Sequence, residues 1–311
     1  MPDFFHARSD AGSLIDALAS ERGLRPALVE KDYWVMHCLW GLQQNGLRFE
    51  LKGGTSLSKG WGIIDRFSED IDLRFEAPAS LDVKGDREVH VRARLAFFDE
   101  LASRIRIPGV VTERNRAFDD EIARNGGISL RYESSFDRLS GLRPEVLLEA
   151  GFARTAPNEP RLFSSWVLDK ALATRLEVAD NRAPDVKCFT PEYTFVDKLQ
   201  TICRYFRQHR ENPEDVRPRM FLRHYYDLSR LLGVDRVLRF LRTDAYVDYK
   251  GEKLGGRDLL EFTARTAFTL PDARTFSLFE EEFGYLEDLM IGPSPSFSEV
   301  ARRIREHADQ F

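Results

Sequence analysis

The chain is poor in lysine, in cysteine and in long apolar runs. Of 46 Lys and Arg side chains in 311 residues, 9 are lysines and 37 are arginines. A lysine beside a motif therefore stands out against a strong arginine default. The three cysteines, Cys38, Cys188 and Cys203, are odd in number and lack C-x-x-C spacing. That excludes a disulfide framework or a zinc site and suggests a reducing, cytoplasmic setting. No stretch approaches the roughly 20 consecutive apolar residues that a membrane-spanning helix needs. The first residues carry no basic segment leading into an apolar run, so no secretory signal is expected. Several chemistry-bearing motifs are missing as well. There is no G-x-x-x-x-G-K-[ST] loop and no G-x-G-x-x-G fingerprint. There is no G-x-S-x-G elbow or H-E-x-x-H helix, and the six histidines are scattered, so hydrolase and metalloprotease chemistry drops out. Repeats and low-complexity segments are absent. A net charge of −5 argues against a chain coated in nucleic acid but leaves room for a local basic surface.

What is present is ample core material, with 42% hydrophobic residues and 23 Phe, enough for one large domain or two ordinary ones. Two helices are expected over the first forty-five residues, one ending near Gly23 and one opening at Pro26. The period then changes: 47–51 alternates apolar and polar residues, as a half-buried strand does. A Gly53-Gly54-Thr55-Ser56 turn follows, then a second strand over 70–76. A helix over 86–106 and strands over 128–133, 145–153 and 186–189 complete the front half. From Pro191 onward helices are expected over 191–208, 218–232, 235–242, 256–267, 277–290 and 296–309, separated by Gly and Pro. Strands first and helices afterwards predict an α+β fold with a small mixed sheet, followed by a helical lobe. The expected domains are 1–190 and 191–311.

The segment that carries chemistry is Leu51 to Lys59 followed by Phe67 to Leu73. Side chains alternate along a strand, so Asp70, Asp72, Arg74 and Glu76 share the face opposite Ile71, Leu73 and Phe75. Asp is depleted in strands, yet two open this one, and carboxylates at that spacing can converge on divalent cations. Hard oxygen ligands favour magnesium, with manganese possible. Upstream, Gly53 and Gly54 let backbone approach a ligand, and the N–H groups and hydroxyls of Thr55 and Ser56 can hold phosphate. A phosphate-holding turn near a metal-holding strand makes a nucleotide–metal site. Glu149, with Glu145 behind it, is an acid in an apolar strand run and needs a partner, which a metal, Arg154 or Arg131 could be.

Gly53-Gly-Thr-Ser56 together with Ser68-Glu-Asp-Ile-Asp72 resembles the nucleotidyltransferase-like toxins of the AbiEii family, relatives of the MenT toxins, within the DNA polymerase β-like nucleotidyltransferase superfamily. The resemblance begins at Glu30-Lys31-Asp32 and returns over 191–232. It implies a nucleotidyltransferase, a transferase of phosphorus-containing groups. The nucleoside triphosphate would lie on Gly53, Gly54, Thr55, Ser56 and Lys59. Magnesium would sit on Asp70, Asp72 and Glu149. The resemblance also implies a phosphate-contacting lysine, matched by Lys198, and a later aspartate, matched by Asp227. Where the family often has an acid three residues earlier, this chain has His224. The implied acceptor is the tRNA 3′ end, whose blocking would stop aminoacylation and arrest growth, and the implied partner is a cognate antitoxin encoded nearby. Arg204, Arg207, Arg210, Arg217, Arg219, Arg223 and Arg230, interleaved with Tyr205, Phe206, Tyr225 and Tyr226, suit either RNA contact or a solvated helix pair. Transfer to a protein or small-molecule hydroxyl, and a non-catalytic nucleotide-binding regulator, are the alternatives.

Overall fold

The computed structural model describes residues 2–137, 139, 141–153 and 156–311. They form two compact units. One takes in the chain through Gly60 and Ser68–Phe189; the other joins Trp61–Phe67 to Thr190–Phe311. Between the glycine turn and the Asp-rich strand, seven residues thus leave the first unit and pack with the second.

The first unit is built on one seven-stranded mixed sheet. Its strands are β1 (Phe49–Lys52), β2 (Ile71–Phe75), β3 (Val110–Asn115), β4 (Asn125–Tyr132), β5 (Val146–Gly151), β6 (Asn158–Phe163) and β7 (Ala183–Phe189). The spatial order is β3-β4-β5-β2-β1-β7-β6. The site strand β2 is therefore interior, antiparallel to β1 and parallel to β5. It alternates as predicted, with Ile71, Leu73 and Phe75 buried between half-buried Asp72 and Arg74. The helices are α1 (Ala11–Arg22), α2 (Pro26–Gln44), the single turn α3 (Gly53–Thr55), α4 (Glu88–Arg104) and α5 (Trp166–Ala173). Gly23 closes α1 in the left-handed conformation and Pro26 opens α2, as their chemistry demands.

The sheet has two more strands than the sequence predicts, β3 and β6, and both are its edges. Edge strands lack the burial that imposes a clean apolar pattern. Val111 of β3 is exposed, and β6 contains Pro160, which an edge tolerates because a missing N–H costs no ladder bond there.

The second unit is helical: α6 (Pro191–Glu211), α7 (Leu222–Leu231), α8 (Asp235–Phe240), α9 (Asp244–Lys253), α10 (Gly256–Ala264), α11 (Thr266–Thr269), α12 (Ala273–Phe283) and α13 (Phe297–His307). Phe279 centres its core, with Phe206, Phe221, Tyr225 and Phe297 packed edge-on around it. The 61–67 segment is anchored here by backbone bonds from Phe67 N–H to Leu289 O and from Ile291 N–H to Asp65 O, both 2.7 Å. Among the described residues, no helix is long and apolar enough to cross a membrane.

Candidate nucleotide and metal site

The chain passes from β1 directly into α3 and then into a π turn over Ser56–Gly60. Gly53 has φ of +75°, and a Cβ there would lie 1.9 Å from Asp72 Oδ2. Only glycine permits both the backbone angle and the close approach of that carboxylate. Thr55 Oγ1 donates to the carbonyl of Asp70 at 2.6 Å. The turn and the start of β2 are thus pinned together, although fifteen residues separate Thr55 from Asp70. The two hydroxyls are placed differently from the prediction. Thr55 is spent on that carbonyl and Ser56 is fully buried, so the face offered to a phosphate is backbone, not side chain.

Cross-strand register sets the carboxylates. Asp72 is opposite Glu149 of β5 on one side and Lys52 of β1 on the other. Register partners share a face, and neighbouring strands are about 4.8 Å apart, so Lys52, Asp72 and Glu149 form one row across the sheet. On the far side of Glu149 the row continues to Gly127, which adds no side chain. Asp70 precedes the strand and is 8% exposed. Among the described residues, no three His, Cys, Asp or Glu groups close into a metal cage. Asp70, Asp72 and Glu149 do not form such a group. Arg154, one suggested partner for Glu149, lies outside the described residues; Arg131, the other, pairs with Glu113 at 3.0 Å.

Lys59 is committed elsewhere. Its Nζ lies 2.5 Å from Asp32 Oδ1 and 4.3 Å from the Trp166 ring centre, while Trp166 N–H donates to Asp32 Oδ2 at 2.7 Å. An ammonium that neutralises a fully buried carboxylate cannot leave for a phosphate without stranding that charge. Lys59, the expected nucleotide contact, is held here in an ion pair. Its partner belongs to Glu30-Lys31-Asp32, three consecutive charged residues of α2 that are all buried. Glu30 accepts from Ser134 Oγ and Ser135 N–H. Lys31 donates to the carbonyls of Arg143 and Glu145 at 2.9 and 2.5 Å.

Those carbonyl bonds expose a residue that sequence reasoning missed. Glu69 accepts from the Arg143 N–H at 2.7 Å, and Arg143 Nε lies 3.5 Å from Asp70 Oδ1. Its guanidinium also packs over the Phe118 ring. One arginine among 37 gives no sequence signal; the lysine that holds its loop does, because lysine is scarce.

In the second unit, Lys198 lies on the buried side of α6, 7% exposed. Its Nζ is 2.8 Å from Asp227 Oδ2 and 3.1 Å from His224 Nδ1. An ammonium can only donate, so His224 accepts. Burial, joined by the Lys198 and Arg223 charges, pushes His224 well below its ordinary pKa and keeps it neutral. Asp227 is fully buried and also takes a bidentate pair from Arg66, at 2.6 and 2.8 Å. Burial alone would raise its carboxyl pKa; Arg66 and Lys198 outweigh that and hold it far below the carboxylate range. Both Asp227 oxygens are thus taken by the cations of Arg66 and Lys198.

The arginine–aromatic stretch is mostly core and ion pairs. Phe206, Tyr225 and Tyr226 are buried, and Tyr225 donates its hydroxyl to Ala267 O. Arg207 pairs with Asp258, Arg210 with Glu261, Arg219 with Glu282 and Arg230 with Asp65. Tyr205 is half-buried with the Arg204 guanidinium over its ring, and Arg210 and Arg219 keep over half of their side-chain surface in solvent.

A glycine turn closed on the carboxylate of an interior strand in a mixed sheet, in a chain completed by a helical unit, defines a nucleotidyltransferase-type protein. The family model described as nucleotidyl transferase AbiEii toxin, type IV toxin–antitoxin system, matches residues 36–303, and the chain belongs to that family. It is thus a nucleotidyltransferase toxin of a type IV toxin–antitoxin system, a class that works with a cognate antitoxin. No curated protein and no solved structure matches the chain.

Proposed function

We propose that the protein transfers a nucleotidyl group from a nucleoside triphosphate to the 3′ end of tRNA in the cytoplasm, with magnesium, or manganese in its place, as cofactor. The observation that carries this reading is the closure of Gly53 on Asp72, which sets anion-accepting backbone against a cation-accepting carboxylate. The donor set fits a hard cation. Asp72 and Glu149 are register partners on paired strands, and with Asp70 they would offer a cation hard oxygen donors. Magnesium is commonly bound by one or two carboxylates with substrate phosphates completing the shell, so an incomplete protein cage suits it. Bound there, the ion would polarise the α-phosphate and stabilise the leaving pyrophosphate.

The chain's own groups supply the rest. Backbone N–H groups of Gly53 and Gly54 orient the triphosphate. Glu149, half-buried beside Asp72, is the candidate to accept the proton of the attacking hydroxyl. Lys198 is the proposed phosphate contact of the second unit. One carboxylate, Asp227, faces two cations there, Arg66 and Lys198, so the buried cluster carries excess positive charge that an anion would balance. Labelled nucleoside triphosphates incubated with total tRNA, proteins and small-molecule acceptors test the proposal. Label on tRNA 3′ ends, lost on chelation and in Asp70→Ala with the fold intact, is expected. Label on another acceptor would overturn the tRNA assignment, and nucleotide binding without transfer would make the protein a regulator.

A further inference from the structure

We propose that Arg143 is a triphosphate-binding residue, parked on Asp70 until nucleotide arrives; the proposal rests on the nucleotidyl-transfer reading above. Three observations carry it. The main chain at Arg143 is held on both sides by buried or half-buried charges. Lys31 takes its carbonyl and that of Glu145, and Glu69 takes its N–H. Neither clamp uses the guanidinium. That group, about one-third exposed, reaches to 3.5 Å from Asp70 Oδ1 and is steadied by the Phe118 ring. Finally, Arg143 lines a cavity of about 580 Å³ with Lys31 and Arg131 and the acids Glu30, Asp137 and Glu145, within the size range of ligand pockets.

A loop fixed by backbone clamps, with the Arg143 guanidinium left to face Asp70, is built to present that side chain. In the absence of ligand the guanidinium neutralises Asp70 and competes with any cation there. Were a metal-bound triphosphate to occupy the site, Asp70 would serve the metal and the planar fork of Arg143 would be free for a phosphate, which it matches bidentately. No covalent step is involved.

Opposite effects on two ligands test this. Using the full-length chain, manganese binding without nucleotide and binding of each of the four ribonucleoside triphosphates are measured for wild type, Arg143→Ala and Arg143→Lys. Removing the competitor should tighten manganese binding several-fold, while loss of charged hydrogen bonds should weaken triphosphate binding about tenfold or more. Arg143→Lys should fall between, keeping the charge without the fork. Because both clamps hold backbone atoms, the thermal midpoint should barely move. If both ligands weaken together, Arg143 is merely structural; if neither changes, it is a bystander, and either result overturns the proposal. Wild-type protein that binds no triphosphate would instead sink the nucleotidyl-transfer reading beneath it.

Discussion

Asp227→Asn isolates charge from shape at the most buried ion cluster of the helical unit. The carboxylate is inaccessible, Arg66 is 4% and the Lys198 side chain 9% exposed, and all three contacts are 2.6–2.8 Å. Breaking one buried pair by removing a partner costs about 3–5 kcal/mol, since the remaining charge is stranded. Here one substitution strands two cations, so the loss should sit at or above about 3 kcal/mol. For a unit of this size that lowers the melting midpoint by roughly 10 °C. The pH dependence has a definite sign. Asp227 has a depressed pKa in the folded state, so its contribution is complete above the unfolded value of about 3.9 and is lost as pH falls below it. The difference between wild type and variant should therefore be constant near neutrality and shrink below about pH 4. Urea denaturation followed by circular dichroism at several pH values measures both. A variant within about 0.5 kcal/mol of wild type at neutral pH would refute the reasoning. So would a gap that persists unchanged in strong acid.

Gly53→Ala should cost about 1–2 kcal/mol for the left-handed backbone. It should also cut transfer on the order of a hundredfold by pushing Asp72 out of place; stability and single-turnover rate check the two parts. All three cysteines should resist alkylation of the native protein at pH 8. Each is buried, and burial pushes the Cys38 and Cys188 thiols up to about 12. Rapid labelling before unfolding would contradict that.

How much of this was legible in the sequence depends on how strongly burial marks the pattern. Ile71, Leu73 and Phe75 alternate with polar residues because β2 is interior, and so the strand and its two aspartates could be read directly. β3 and β6 escaped because edges impose no such alternation. Gly53 was legible as a turn, but its approach to Asp72 depends on a strand that follows eighteen residues later. The surroundings of Thr55, Ser56, Lys59 and Asp227 were not legible for a shared reason. A polar side chain beside a motif looks available until its partner is known, and the partners of Thr55, Lys59 and Asp227 lie 15, 27 and 161 residues away. The Ser56 hydroxyl turns inward instead, into a fully buried position.

The scarcity of lysine was a better guide than any single motif. Lys31, Lys59 and Lys198, three of nine, each sit on a buried or half-buried carboxylate or a loop carbonyl. Arginine would deliver a wide fork where these positions need a compact point charge. The same logic explains why Glu30, Lys31 and Asp32 can be buried side by side. On a helix, successive residues point about 100° apart, so the three do not pair with one another. Each reaches a different segment instead: 134–135, 143–145, and Lys59 with Trp166. Helix α2 thus anchors the π turn behind the glycines, the loop bearing Arg143 and the start of α5. Changing any one of the three charges should loosen one segment and leave the other two in place.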